Sequence, residues 1–214
     1  MEYIEFFNHI CQKTILKDFV FRKLLVRRKR VKKDTEIVIP NDTVIYIDNT
    51  YFLREIHFEN KVYYDLLEGG NFVFVTKEDS EMILVPLVDT EYNLFNKNDL
   101  FKLLESEKVL SCFYLMYVKK IQEGIRFNLK ISQEETWLRV IHLLDRLFEK
   151  KESNMVLNTF SLQNIARIVD SSYREMEEAI LILQAKGYIQ KSGKKLIYYH
   201  CPKIVSENGA LKID

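Results

Sequence analysis

Polar side chains that can hydrogen-bond to nucleic acid lie close together in the C-terminal third of the chain. Ser172, Tyr173 and Arg174 stand at the predicted start of a helix, and their hydroxyl and guanidinium groups can contact phosphates or base edges. Glu177 and Glu178 follow about one helical turn later, where a carboxylate can accept from a cytosine amino group although it repels phosphate. The alternative interpretation of these residues is a solvated helix face that contacts protein.

Two neighbouring segments carry further groups that could contact a phosphate backbone. Ser161 and Gln163 lie at the predicted start of the preceding helix, where side chains and backbone N–H groups can bind phosphate oxygens. Lys191, Lys194 and Lys195 belong to the segment KSGKK and supply positive charge, which contributes much of the affinity of proteins for DNA. These residues complete the predicted DNA-binding set.

The pattern of residues 161–199 predicts the elements that hold these groups. Two apolar stripes at helical spacing are separated by a polar Asp-Ser-Ser segment, and Gly187 stands where the second helix is expected to end. Two β-type segments then flank the basic tip, as in a hairpin. The stripes are formed by Leu162, Ile165, Ala166 and Val169, and by Met176, Ile180 and Leu183. Helix, tight turn, helix and hairpin in this order predict a winged helix-turn-helix.

The preceding residues predict a β-rich part followed by helices. Residues 1–20 have the pattern of a short amphipathic helix, and residues 21–97 contain seven short β-type runs that end in turn residues. Such runs at close spacing favour an antiparallel barrel or sandwich. A helical pattern begins at Asn98 and extends to about Lys130, and Ser132 begins another helix. The expected fold class is therefore α+β.

Composition and motifs favour a globular, cytoplasmic protein without catalytic activity. Hydrophobic residues make up 47% of the 214 residues, with 6 Gly and 3 Pro, as in a globular protein without a flexible linker. No apolar run reaches the length of a membrane span, and three scattered cysteines suit a reducing cytoplasm. The sequence contains no G-x-S-x-G, H-E-x-x-H, Walker or G-x-G-x-x-G motif, and its four histidines are isolated. This predicts a protein that is not an enzyme and carries no cofactor.

The order of these parts resembles the Crp/Fnr superfamily of dimeric bacterial transcription regulators. The resemblance covers nearly the whole chain and is strongest over residues 160–200, FSLQNIARIVDSSYREMEEAILILQAKGYIQKSGKKLIYYH. Residues 31–75 resemble the sensor barrel of that family less closely. Residues 91–104, EYNLFNKNDLFKLL, resemble its last barrel strand where it enters the dimerisation helix.

The resemblance implies a jelly-roll sensor barrel at residues 1–105, a dimerisation helix at 106–131 and a winged helix-turn-helix at 132–214. It also implies a homodimer that reads a two-fold symmetric site in double-stranded DNA. RNA polymerase and an unidentified small-molecule effector are further candidate partners. The apolar residues expected at the dimer interface are Leu110, Phe113, Tyr117, Ile121 and Ile125.

Departures from the family pattern bear on its ligands. Cyclic-nucleotide-binding members carry a Gly-Glu pair and, further on, an Arg followed by Ser or Thr. Here Gly70 is followed by Asn71, and no arginine occurs between Arg54 and Arg126, so a cyclic phosphate would lack its charge-assisted hydrogen bonds. We therefore expect no response to cyclic AMP. Three cysteines cannot hold an iron–sulfur cluster, and His57 is a weak candidate for a haem ligand.

Two observations keep other functions open. Residues 151–214 hold 9 Lys/Arg against 7 Asp/Glu, which is close to neutral for a DNA-binding domain. A winged helix that serves as a protein-interaction module is therefore the alternative function. The basic residues at 22–33 could bind nucleic acid, although the outward face of a strand pair is the preferred interpretation.

Overall fold

The computed structural model describes residues 13–58, 61–75, 81–148, 155–156, 160–192 and 195–199. The chain divides into two compact units, 1–126 and 127–214. No helix among the described residues is long and apolar enough to cross a membrane.

The described residues of the first unit contain eight strands, which form two four-stranded antiparallel sheets. The strands are β1 (Arg27–Val31), β2 (Ile37–Val38), β3 (Thr43–Ile47), β4 (Phe52–Phe58), β5 (Lys61–Leu67), β6 (Asn71–Phe74), β7 (Glu81–Pro86) and β8 (Thr90–Asn96). The strand orders are β1-β8-β3-β6 and β2-β7-β4-β5, so strands distant in sequence are paired, as in a jelly roll. This confirms the expected α+β class with a β-sandwich.

The alternation of side chains along the strands creates two apolar layers. On β3, Ile45 and Ile47 face the second sheet, where they pack with Phe52 and Leu84. Neighbouring side chains along a strand point to opposite faces, so Val44 and its equivalents face outward from the sandwich. Both layers are buried, because helices cover the outer face of the first sheet.

Three helices contribute to this outer layer: α1 (Lys13–Lys23), α2 (Lys97–Ser106) and α3 (Leu110–Ile131). Aromatic rings dominate the contact, with Tyr46 and Phe72 at 4.6 Å between ring centroids and Phe72 and Phe113 at 5.6 Å. Such pairs add to the free energy gained by burying the rings themselves. The buried members of the layer are Leu16, Val20, Val44, Tyr46, Phe72, Phe74, Phe95, Leu100, Leu104 and Phe113.

The predicted helix at residues 1–20 corresponds in part to α1, which runs from Lys13 to Lys23. Residues 1–12 lie outside the described residues. Each of the seven predicted β-type runs contains a strand, and Thr90–Asn96 is the last barrel strand that the resemblance implied.

The single long helix expected from Asn98 onward is wrong, because the chain breaks between α2 and α3. Lys108 has a φ of 58°, and its N–H donates to the carbonyl of Glu105 while the N–H of Val109 donates to that of Leu104. This pair of bonds is a Schellman ending, which usually has glycine at the left-handed position. A lysine there costs about 1 kcal/mol, and nothing in its side chain signals the break.

The structure also corrects one residue of the apolar face expected at a dimer interface. Phe113 is fully buried in the first unit, so it cannot contact a partner helix. Leu110 and Tyr117 are partly buried and pack against the same core. Of the five expected residues, Ile121 is half-buried and Ile125 is 52% exposed. The exposed apolar residues of α3 between 110 and 126 are Tyr114, Leu115, Val118 and Ile125.

Besides the end of α3, the described residues of the second unit contain three helices and a three-stranded antiparallel sheet. The helices are α4 (Thr136–Phe148), α5 (Leu162–Ile168) and α6 (Tyr173–Ala185). Strands β10 (Ile189–Ser192) and β11 (Lys195–Tyr198) form the predicted hairpin, whereas β9 (Met155–Val156) was not predicted. The sheet has the order β10-β11-β9. Helix α4 begins at Thr136 rather than at Ser132. The unit has its own core, which includes Val140, Leu143, Leu144, Ile165, Met176, Leu183 and Tyr198.

Candidate nucleic-acid interface

The turn between α5 and α6 is fixed by backbone hydrogen bonds. Asp170 has a φ of 51°, its N–H donates to the carbonyl of Arg167, and the N–H of Ser171 donates to that of Ala166 at 3.0 Å. Aspartate is among the residues that tolerate the left-handed region. The predicted break at Asp170–Ser172 is therefore confirmed, and it redirects the chain within a few residues.

Arg139 of α4 holds this turn from the side. Its Nη1 donates to the carbonyls of Val169 at 2.6 Å and Asp170 at 2.9 Å, and its Nη2 donates to Thr136 Oγ1 at 3.1 Å. The last carbonyls of α5 are otherwise short of donors, and a cation at a helix C-terminus is favourable. Sequence analysis did not identify Arg139, because its partners lie about 30 residues further along the chain.

A capping box fixes the start of α6. The Oγ of Ser172 accepts from the N–H of Glu175 at 3.2 Å, and Glu175 Oε2 accepts from the N–H of Ser172 at 2.7 Å and from its hydroxyl at 2.8 Å. These bonds hold the pKa of the Glu175 carboxyl below its ordinary value, the backbone bond being the largest cause. The carboxylate of Glu175 is thereby committed to the helix start. The motif Ser-x-x-Glu is visible in the sequence and could have predicted this role.

Helix α6 has one buried and one exposed face. Met176, Ala179, Ile180 and Leu183 are buried, which confirms the apolar stripe predicted from the sequence. The opposite face consists of Tyr173, Arg174, Glu177, Glu178 and Leu181, all of which are exposed. The four polar residues among them belong to the predicted DNA-binding set. The packing of the buried face thus presents these groups outward on a single helix.

Charges on the exposed face are mixed. Arg174 Nε lies 3.2 Å from Glu178 Oε1, and the side chains are 89% and 60% exposed. A pair so accessible to water contributes only a few tenths of a kcal/mol. The guanidinium can therefore exchange this carboxylate for another acceptor at little cost.

The remaining predicted residues lie on three different segments. Ser161 is the N-cap residue of α5 but makes no side-chain capping bond, and Gln163 is exposed in the first turn of that helix. Lys191 is exposed on β10, where it pairs with Leu196. Lys194 lies outside the described residues, and Lys195 belongs to β11 although its side chain is not among those described. Gly187 ends α6 with a φ of 79°, as predicted.

In the first unit, the turn at Gly69–Gly70 is tightly packed. Cyclic-nucleotide-binding members of the Crp/Fnr superfamily carry their Gly-Glu pair at the corresponding place in the sequence. A side chain at Gly69 would meet the carbonyl oxygen of Asp48 at 2.0 Å, and the N–H of Gly70 donates to the carbonyl of Ile47. Arg54, on β4, is bound by both oxygens of Asp65, its Nε donating to Oδ1 at 2.9 Å. The guanidinium of Arg54 is therefore engaged by the carboxylate of Asp65 and is not available to bind a phosphate.

Solved structures share this architecture at low sequence identity. The c-di-GMP-responsive global regulator CLP of Xanthomonas campestris has a TM-score of 0.63 and 18% identity, and the match covers 86% of this chain and 97% of CLP. FixK2 of Bradyrhizobium japonicum has a TM-score of 0.66 and 17% identity, over 84% of this chain and 94% of FixK2. A Crp/Fnr-family transcriptional regulator of Thermus thermophilus has a TM-score of 0.59 and 17% identity, over 81% of this chain and 93% of that one.

No protein-family model matches the chain, and no curated protein matches its sequence. The structural matches nevertheless extend over both units, since each covers more than four-fifths of this chain. The chain therefore has the fold of the Crp/Fnr transcription regulators.

Proposed function

We propose that this protein is a dimeric, DNA-binding transcription regulator of the Crp/Fnr type. The observation that carries the proposal is the presentation of α6. One face of this helix is buried, its start is fixed by Ser172 and Glu175, and its exposed face carries Tyr173 and Arg174. A helix held in this way can enter the major groove, where a guanidinium binds the O6 and N7 atoms of guanine.

Phosphate contacts would come from groups around that helix. Ser161 and Gln163 at the start of α5, and Lys191, Lys194 and Lys195 in the hairpin, are the proposed backbone contacts. Such contacts set the register of the protein on the duplex but do not read its sequence. Glu177 and Glu178 are the remaining members of the proposed set, as acceptors for a cytosine amino group.

The proposed dimer interface is the exposed apolar face of α3. Tyr114, Leu115, Val118 and Ile125 are each between 45% and 55% exposed, and Ile121 lies between Val118 and Ile125 at helical spacing. A row of apolar side chains at intervals of three and four residues is the pattern of a helix that packs on another helix. Two copies related by a two-fold axis would read half-sites about one helical turn of DNA apart.

Cyclic AMP is not the proposed effector. The arginine closest to the Gly69–Gly70 turn in sequence is Arg54, which is paired with Asp65. We expect isothermal titration calorimetry with cyclic AMP to give no heat of binding. Measurable saturable binding would contradict this part of the proposal without affecting DNA binding.

A gel-shift titration with the region upstream of the protein's own gene tests the main proposal. The experiment is run at salt concentrations from about 50 to 200 mM, because displaced counterions make DNA affinity fall steeply with salt. We expect a specific complex that survives excess non-specific competitor DNA. Absence of any complex at about 50 mM salt would contradict the proposal.

A protein-interaction module is the second candidate function, and one observation favours it. Leu181 is 64% exposed beside Glu177 and Glu178 on α6, so the face combines acidic groups with an apolar side chain. A basic partner with an apolar pocket would match this chemistry. The same gel shift separates the candidates, because this function predicts no complex with DNA at any salt concentration.

A further inference from the structure

A groove lies at the open edge of the β-sandwich, where β1 and β2 are the edge strands of the two sheets. Its volume is about 490 Å³, which is within the range of small-molecule sites. Residues of the α1–β1 segment, of β1, β2, β3 and β8, and of the first turn of α2 line it. All of them belong to the described part of the first unit.

Two cations line this groove, and strand register places both on its inner side. Arg27 pairs with Leu94 and Lys29 pairs with Tyr92, and paired residues on adjacent strands project to the same face of a sheet. Leu94 and Tyr92 belong to the core between the two sheets. Arg28 and Arg30, which alternate with them, both pair with Glu91. Among the described residues, Arg27 and Lys29 have no ion-pair partner.

Tyr92 adds a polar group that the fold leaves unused. Its residue is 6% exposed, it lines the groove, and no described residue hydrogen-bonds to its hydroxyl. Burial raises the pKa of this phenol above its ordinary value, so the hydroxyl keeps its proton and can donate. Because the hydroxyl itself is not a fully buried atom, a ligand in the groove can reach it and accept its hydrogen bond.

The rest of the lining is divided between apolar and acidic groups. Ile37, Val38, Ile45 and Leu94 provide apolar surface, and Val38 is 55% exposed. Asp42 and Asp99 also line the groove, at its end near Asn96. Asn96 follows Leu94, the partner of Arg27, by about two residues on β8, and it is further from Tyr92, the partner of Lys29. The two carboxylates therefore disfavour negative charge at their end. The groove favours one anionic group, at the end formed by Arg27, Lys29 and Tyr92.

We propose that this groove binds an amphiphilic organic anion, with a single carboxylate held by Arg27, Lys29 and the Tyr92 hydroxyl. An apolar chain or ring of the ligand lies along Ile37, Val38 and Ile45. Charge-assisted hydrogen bonds from both cations would fix the carboxylate, and burial of the apolar part would add affinity. The site lies in the sandwich and includes no residue of α6. A test of ligand binding in the groove is therefore independent of the proposal that the protein binds DNA.

Isothermal titration calorimetry of the full chain with octanoate, 1-octanol and naphthalene-2-carboxylate tests the proposal. We expect saturable binding of one or both carboxylates and at least tenfold weaker binding of the neutral alcohol. Lys29→Gln should weaken carboxylate binding at least tenfold, and Tyr92→Phe about threefold to tenfold. Amide resonances of Lys29, Val38 and Tyr92 should shift during the same titration.

Lys32→Gln is the matched control, since Lys32 is also exposed but does not line the groove. This variant should bind the carboxylates as tightly as the unmodified protein does. Three outcomes would overturn the proposal: no saturable binding of either carboxylate, equal binding of 1-octanol, or binding that Lys29→Gln and Arg27→Gln leave unchanged. Circular dichroism of each variant verifies that the sandwich is folded.

Discussion

Arg174 and Glu178 form an ion pair across one turn of α6, with Nε of the arginine 3.2 Å from Oε1 of the glutamate. Both side chains belong to the surface of α6 that is proposed to read DNA. Arg174 is the one arginine of this described helix, and an acidic residue of the same surface lies against it. In water the pair is weak. A guanine edge, or the carboxylate of a protein partner, would compete for the same guanidinium.

Replacement of Arg174 by alanine should weaken specific DNA binding by about 1–3 kcal/mol, which is roughly 5-fold to 150-fold, because a base contact is lost. Gel-shift titration against specific and scrambled sites measures the change. Lys102→Ala, an exposed cation on α2, is the control and should leave affinity unchanged. An equally small effect of both variants would remove Arg174 from the set of base contacts.

Replacement of Glu177 by glutamine should strengthen binding to non-specific DNA by a factor of about 2 to 5, because an exposed carboxylate near phosphates is repulsive. The gain should shrink as salt is raised, since salt screens exposed charges. Fluorescence anisotropy at two salt concentrations measures it. Binding to a site that presents the matching cytosine should weaken, because the proposed acceptor for its amino group is changed. Unchanged affinity for both kinds of DNA would remove Glu177 from the proposed set.

The capping box should make the second unit less stable in acid. The pKa of the folded Glu175 carboxyl is lowered, so its stabilising effect is present above the unfolded glutamate pKa of about 4.3. That effect is lost as pH falls through the folded pKa. Glu175→Gln should therefore lose less stability between pH 6 and pH 3 than the unmodified protein does, as measured by urea unfolding. Glu178→Gln is the control, because the Glu178 carboxylate accepts no backbone N–H among the described contacts, and it should retain the full loss.

Introduction of a charge on the exposed face of α3 should dissociate the proposed dimer. Val118 is 45% exposed and Ile125 is 52% exposed, and a glutamate at either position would be buried without a partner in a helix–helix interface. Sedimentation equilibrium should give twice the chain mass for the unmodified protein and one chain mass for Val118→Glu or Ile125→Glu. Lys102→Glu, at an exposed position on α2, should remain dimeric. A dimer that persists in all three variants would place the interface elsewhere.

Phe113→Ala should lower stability rather than dimerisation. The ring is fully buried against Phe72 and Phe74, and truncation of a buried phenylalanine costs about 3–5 kcal/mol. Chemical unfolding monitored by circular dichroism measures the loss. A variant of undiminished stability that had become monomeric would instead restore Phe113 to the interface.

The strands of the sandwich were predictable because their signal is local. Each run has β-type residues and ends at a turn segment, as Thr43–Ile47 does before Asp48-Asn49. The exposed face of α6 was also predictable, since it is the complement of the Met176, Ile180 and Leu183 stripe. The paired register that brings β1 beside β8 is a long-range contact, and the sequence alone does not specify it.

The errors have a common physical origin. Helix α3 is apolar on two faces, and periodicity does not reveal which face the barrel occupies, so Phe113 was assigned to a partner although it is fully buried. Arg139 was missed for a related reason, because its acceptors depend on how α4 packs on the end of α5. Local patterns identify elements and their faces, whereas tertiary contacts decide what covers each face.

The left-handed Lys108 ends α2 and allows α3 to begin in a new direction within two residues. A glycine at this position would keep both backbone hydrogen bonds and remove the steric cost of the left-handed lysine. The change of direction therefore depends on those two bonds and on the burial of Phe113 at the start of α3, and the lysine side chain adds nothing to it.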